Sequence, residues 1–162
     1  MDEREIILDE NTILYMTIAD EEVIDDIAEK IFTLEEEIIV SEEMENPISF
    51  LAMIEDLTNM DNVAPFIFRI ERDGEIIALS LVAEPKLCPY NLEAYEVHTL
   101  YVKKEFRGVY LGSILMEAIS DFIEEEGERD AIFVKSSPQS NQFYLNLDFI
   151  EEIPYNLYKL IV

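Results

Sequence analysis

Cysteine is almost absent from this chain, with Cys88 the only one in 162 residues. One thiol excludes an intramolecular disulfide and a cysteine-built metal cluster, and the chain is long enough to bury a core without either. Histidine is equally scarce, with His98 alone. Basic side chains number 11 against 37 acidic ones, a net charge of −26. Such a field repels nucleic acid and anionic membrane surfaces. No apolar run approaches the roughly 18 residues that would span a bilayer. The first residues, Met1-Asp2-Glu3-Arg4, lack the basic-then-apolar order of a secretory leader. There is no repeat, low-complexity linker or Gly/Ser-rich hinge. These absences lead to the expectation of one soluble domain over 1–162, working in a reducing cytoplasm, with 1–10 as a disordered or loosely attached extension.

What is present is a large apolar fraction, 49%, and an uneven acidity. Residues 1–62 hold 20 of the acidic and only 2 of the basic side chains. A field of that sign concentrates cationic ligands, although the same excess also serves solubility.

Hydrophobic periodicity orders the chain. A strand is expected over 13–19, and Asp20 then caps a helix whose apolar positions Val23, Ile24, Ile27, Ala28, Ile31 and Leu34 carry it to about Glu36. Pro47 opens a second helix through Ile48, Leu51, Ala52, Ile54 and Leu57. Strands over 66–71 and 75–83 flank Arg72-Asp73-Gly74, a hairpin signal. Residues 85–91 hold two prolines and read as a loop containing Cys88, which has no evident basic partner and is read as structural. A strand over 94–102 precedes a helix carrying Leu111, Ile114, Leu115, Ala118, Ile119, Phe122 and Ile123 on one stripe, with Gly127 as its stop. A strand over 131–135, a short helix from Ser137-Pro138 through Leu147, and a strand pair over 149–153 and 157–162 complete the chain. The fold class is mixed α+β (α/β): one sheet of about seven strands flanked by four helices.

The turn Arg107-Gly108-Val109-Tyr110-Leu111-Gly112-Ser113 lies between that fourth strand and the long helix. A strand that turns through glycines into a helix N-terminus presents backbone N–H groups without internal acceptors, at the positive end of the helix dipole. Phosphate oxygens suit that place.

Residues 95–113, the helix after them, and Phe143-Tyr144-Leu145-Asn146-Leu147-Asp148-Phe149 together resemble the GNAT superfamily of acyl-CoA-dependent N-acetyltransferases. The family's phosphate loop reads Q/R-x-x-G-x-G/A. Here Arg107 and Gly112 stand at its ends, and Tyr110 replaces the usual middle glycine. The resemblance implies a splayed mixed sheet and acetyl-CoA as cosubstrate, with no metal. The pyrophosphate would lie on amides from Val109, Tyr110, Leu111, Gly112 and Ser113, with Gly108 lending flexibility and Arg107 adding charge. Leu100, Tyr101 and Val102 would contact the pantetheine arm, an amide near Leu100 facing the thioester carbonyl. The late helix matches the family pattern Y-x-x-x-G-F with Asp148 in place of glycine. By resemblance, Tyr144 would protonate the departing thiolate. A phenol of pKa about 10 is suited to that task.

An ammonium acceptor must lose a proton before it attacks. By resemblance Glu96 is the candidate base, with His98 in reserve and water as the remaining alternative. Alternation places Glu96, His98, Leu100 and Val102 on one strand face. The resemblance implies transfer of acetyl to a primary amine, by a monomer or homodimer, and the acidic field adds the expectation of a cationic small molecule or a peptide as the acceptor. Two other functions are open at this stage. One is a non-catalytic acyl-CoA-binding or regulatory module on the same fold, and the other is an acidic interaction protein that mimics nucleic acid.

Overall fold

The computed structural model describes residues 3–42, 49–61, 65–83, 94–126, 131–135, 140–152 and 157–161. Eight strands form one sheet: β1 (Arg4–Asp9), β2 (Thr12–Ile18), β3 (Phe66–Arg72), β4 (Glu75–Ala83), β5 (Ala94–Val102), β6 (Ala131–Lys135), β7 (Ile150–Glu152) and β8 (Leu157–Ile161). Their spatial order is β1-β2-β3-β4-β5-β6-β8-β7. Every neighbouring pair is antiparallel except β5 and β6, so the sheet is mixed. The helices are α1 (Glu21–Ser41), α2 (Phe50–Asp61), α3 (Leu111–Glu126) and α4 (Asn141–Asn146). A parallel pair needs a crossover, and α3 supplies it between β5 and β6. None of the described helices is long and apolar enough to cross a membrane.

The sheet carries one apolar layer on each face. Leu14, Met16, Phe68, Ile70, Tyr95 and Val97 pack with Leu115, Ile119 and Phe122 of α3. On the other face Ile67, Leu79 and Leu81 pack with Ile27, Ile31 and Ile38 of α1 and Ile54 and Leu57 of α2. Asp20 caps α1 as expected, its Oδ1 accepting the Val23 amide at 2.9 Å. The hairpin between β3 and β4 also follows the sequence. Asp73 and Gly74 have φ of 52° and 81°, the paired positive values that a two-residue type I′ turn requires.

Two expectations are corrected. The sheet gains a strand at its start, because residues 4–9, expected as a loose extension, pair with β2. That strand is an edge whose Ile6 and Ile7 are exposed, so no burial pattern marks it. Its anchors are tertiary: Arg4 Nη1 donates to Glu125 of α3 at 2.7 Å, and Leu8 packs on the α3-side core. Next, α1 continues past Glu36 to Ser41, because the Glu35–Glu37 run is absorbed by tertiary partners. The buried Glu35 Oε1 accepts the Phe50 amide at 2.6 Å and caps α2 from the side, while Glu37 pairs with Lys103. Helix α4 is described from Asn141 to Asn146, and its expected start at Ser137 lies outside the described residues. Ser49 caps α2, accepting the Ala52 amide at 3.1 Å. Pro47, Cys88, Gly127 and Ser137-Pro138 lie outside the described residues.

Candidate active site

The ladder between β5 and β6 covers Ala94–Val97 on β5 and stops there, five residues before β5 ends. Residues 99–102 have no β6 partner among the described residues, leaving backbone donors and acceptors on that side for a ligand. The β4–β5 ladder is broken at the same place. Val97 faces Val82 and Thr99 faces Leu81, so His98 is the extra residue of a β-bulge.

The bulge overturns the alternation expected from the sequence. Leu100 and Val102 pack on the α3 side, whereas Tyr101 packs with α1 and α2. The register across β4 puts Glu96, opposite Ala83, on the Tyr101 face, opposite Leu79. Glu96 and Leu100 are therefore on opposite faces of the sheet. The extra residue shifts the period-two pattern by one step.

After β5 a single 3₁₀ turn, Lys104–Phe106, leads into the phosphate-loop segment. Gly108 has φ of 84° and Tyr110 of 64°. Left-handed residues between ordinary ones aim successive amides into one concavity, a nest that suits anions. The first helical bond of α3 runs from the Ile114 amide to the Tyr110 carbonyl at 2.9 Å, so the amides of Leu111, Gly112 and Ser113 have no intrahelical acceptor. Gly112 has a packing reason as well. A Cβ there would meet the Phe143 ring at 3.2 Å, so its absence allows α3 and α4 to approach.

Tyr110 keeps the left-handed backbone without being glycine, and its side chain is 79% exposed. A bulky residue in that region carries roughly 1–2 kcal/mol of steric strain. Tyr110→Gly is expected to raise stability by about 1 kcal/mol, after subtraction of the greater freedom of glycine in the unfolded chain. Urea unfolding of the two proteins measures it, and equal midpoints would contradict the strain.

The late Tyr motif proves to be a helix stop of defined geometry. The Phe149 amide bonds to the Tyr144 carbonyl at 3.2 Å, and the Asp148 amide to the Leu145 carbonyl at 3.2 Å. Those two bonds, with Asp148 at φ of 65°, are a Schellman motif, and the rings of Tyr144 and Phe149 meet at 5.3 Å. The spacing Tyr-x-x-x-Asp-Phe fixes Tyr144 against Phe149 on one side and Phe143, at 5.0 Å, on the other. Tyr144 is 7% exposed, and burial pushes its phenol up to about 12.

These elements enclose one cleft of about 820 Å³. Ten of the site positions expected from the sequence line it: Leu100, Tyr101, Val102, Arg107, Gly108, Tyr110, Leu111, Gly112, Ser113 and Tyr144. Val109 is exposed and outside that lining. Phe106, Phe143 and Leu147 form its apolar wall and were not anticipated. Their signal in sequence is only an apolar residue at a helix end. A glycine-lined nest at one end and an apolar wall beside open β5 backbone suit a molecule with a phosphate head and a thin, amide-bearing arm.

Glu96 is 5% exposed and outside the cleft lining. Its Oε2 is 3.6 Å from His98 Nε2, and its Oε1 is 3.7 Å from Lys135 Nζ at the end of β6. Lys135 also was not anticipated. Arg107 is engaged within the protein, since its Nε donates to the Val102 carbonyl at 2.9 Å and its Nη2 pairs with Glu42. Among the described residues no group of three or more His, Cys, Asp or Glu is arranged to hold a metal ion.

Comparison with known proteins agrees with this architecture. A family model described as "Acetyltransferase (GNAT) domain" matches residues 25–155. No curated protein matches the sequence. Among solved structures, a GNAT-family acetyltransferase from Listeria monocytogenes 4b F2365 superposes with a TM-score of 0.65 at 13% identity, covering 98% of this chain and 100% of that one. The ribosomal L7/L12 alpha-N-protein acetyltransferase RimL gives 0.63 at 15% identity, covering 99% and 95%. The ribosomal-protein-S5-alanine acetyltransferase from Vibrio fischeri gives 0.62 at 13% identity, covering 98% and 96%. At such identities the superpositions speak for the fold, and the family match speaks for the chemistry: this chain belongs to the GNAT family of acetyltransferases, enzymes that take their acetyl group from acetyl-CoA.

Proposed function

We propose that the chain transfers acetyl from acetyl-CoA to a primary amine of a cationic small molecule or a peptide, by direct attack. The observation that carries this reading is the single cleft that unites open β5 backbone, the amide nest at α3 and the phenol of Tyr144. In it the pyrophosphate lies on the amides of 109–113, and the pantetheine arm runs along 100–102. The bulge at His98 separates the two proton-handling groups. Tyr144 attends the sulfur on the α3 side, and Glu96 attends the amine on the α1 and α2 side. The amine loses a proton toward Glu96 and its nitrogen bonds to the thioester carbon. The C–S bond then breaks, with the Tyr144 hydroxyl stabilising the thiolate. The reading adds cytoplasmic location and a monomer or homodimer.

Residues 1–62, which include α1 and α2 on the acceptor side, hold 20 acidic and 2 basic side chains, while the hollow of about 480 Å³ beside Tyr101 is lined by Glu36, Glu37 and Glu105 together with Lys103 and Lys104. Attraction of a cation by such a field weakens with salt. The test has two stages. Acetyl-CoA and CoA should each raise the melting temperature, because a ligand of the folded state stabilises it. Turnover on an amine panel should then favour cationic acceptors, with KM rising as salt is added. No thermal shift with either ligand refutes the reading, and a flat salt response removes the cationic preference.

The second reading, a non-catalytic acyl-CoA-binding module, draws on the engagement of Arg107 by Glu42 and on the strained Tyr110. Binding of acetyl-CoA with no acetylation of any amine in the panel would favour it.

A further inference from the structure

One carboxylate oxygen ties the phosphate turn to the helix beneath the acceptor face. Glu42 is the C-cap of α1, and its Oε1 accepts both Arg107 Nη2 and, at 3.2 Å, the hydroxyl of Tyr101. The Arg107 guanidinium also lies over the Tyr101 ring, 5.4 Å from its centroid. Arg107 and Tyr101 line the phosphate cleft, whereas Tyr101 also lines the hollow of mixed charge along the end of α1. Glu42 thus stands between the two compartments and neutralises the guanidinium that faces one of them.

This arrangement sets up a competition. A phosphate offers Arg107 a stronger and bidentate anion than a carboxylate does. When the guanidinium turns to phosphate, Glu42 keeps only the Tyr101 hydroxyl. Its side chain is 22% exposed, so the released charge is partly desolvated. An uncompensated carboxylate in such a place favours a new cation. Glu96 projects from the same face as Tyr101, four ladder positions along β5, or roughly 13 Å.

We propose that Glu42 is exchanged between the two substrates: it holds Arg107 until a cofactor phosphate takes the guanidinium, and its carboxylate then binds a second cationic group of an extended polyamine whose reacting nitrogen lies at Glu96. The proposal rests on the acetyl-CoA reading above. It makes cofactor binding raise acceptor affinity, and by linkage the acceptor raises cofactor affinity by the same factor. It also assigns Glu42 opposite effects on the two ligands. Removing its charge frees Arg107 for phosphate and deprives the acceptor of a partner.

Calorimetry tests this without turnover. CoA is titrated into the wild type and into Glu42→Gln, and spermidine and n-butylamine are titrated into each with and without saturating CoA. CoA should bind Glu42→Gln about 2–5-fold more tightly, the factor expected for release of a partly exposed ion pair. In the wild type, CoA should tighten spermidine by about 5-fold or more. That coupling should vanish in Glu42→Gln and be absent for n-butylamine. Unchanged or weaker CoA binding in Glu42→Gln overturns the exchange, as does coupling that survives the substitution or that n-butylamine shares. A wild type that does not bind CoA at all instead overturns the acetyl-CoA reading on which the exchange stands.

Discussion

Glu71→Ala is expected to destabilise the protein by about 3–5 kcal/mol, the cost of leaving a buried charge without its partner. Arg69 and Glu71 are neighbours on β3, only 4% and 5% exposed. Arg69 Nε donates to Glu71 Oε1 at 2.8 Å, and Lys30 Nζ of α1 donates to Glu71 Oε2 at 2.8 Å. Arg69 Nη1 reaches Glu3 Oε2 at 2.8 Å, and its guanidinium stacks 4.3 Å from the centre of the Tyr15 ring. Glu71 is thus the common acceptor for a buried guanidinium on the sheet and an ammonium on α1. Removing it strands Arg69 with the half-exposed Glu3 alone. The double substitution Arg69→Met with Glu71→Leu should lose much less than Glu71→Ala, because a buried pair is often replaceable by apolar groups at little net cost. Chemical denaturation of the three proteins reads both effects. A loss below about 1 kcal/mol for Glu71→Ala would show that the network is solvated rather than buried.

Tyr144→Phe should lower kcat by about 10²-fold while leaving CoA affinity unchanged within about twofold, the signature of an interaction made only in the transition state. The magnitude follows from the phenol's own acidity. A phenol pushed up to about 12 is a weak acid toward a thiolate whose conjugate acid is near 8.5. Full proton delivery is uphill by roughly 3.5 units, about 5 kcal/mol. The phenol therefore acts chiefly by a hydrogen bond to the developing thiolate, worth roughly 1.5–3 kcal/mol. An equal loss in kcat and in CoA affinity would assign Tyr144 to packing instead.

The same shift fixes the alkaline behaviour. Burial holds the phenol protonated, so the folded chain resists its ionisation while the unfolded chain ionises near 10. Stability contributed by this group is complete below pH 10 and is lost as pH climbs toward 12. Tyr101, raised to about 12 by burial and then by the Glu42 charge, acts in the same direction. The rate profile should show no descending limb from Tyr144 between pH 8 and 10.

Much of the fold was legible because its signals are local. The stripe of α3, the Asp73-Gly74 turn and the run at 94–102 each depend on residues within one element. The edge strand β1 was not legible. Its exposed Ile6 and Ile7 carry no burial pattern, and its place depends on pairing with β2 and on contacts with Glu125 and Arg69 far along the chain. The end of α1 was hidden for the same reason, because three consecutive glutamates look like solvated surface until α2 and Lys103 are placed against them.

The site divides along the same line. Sequence alone determined that a glycine-bearing turn joins a strand to a helix, and that a tyrosine precedes a phenylalanine by five positions. It also located both departures from the family pattern. Tyr110 and Asp148 stand where glycine is usual, and both keep positive φ. Those features are short-range, since backbone dihedrals and helix caps are set within a turn or two. Only the tertiary structure decided which strand face each side chain occupies, because one extra residue at His98 sends Glu96 and Leu100 to opposite sides. It alone brought Glu42 to Arg107, 65 positions away, and Lys135 to Glu96. Charge pairing acts through space and leaves no periodicity in the sequence from which a partner is read.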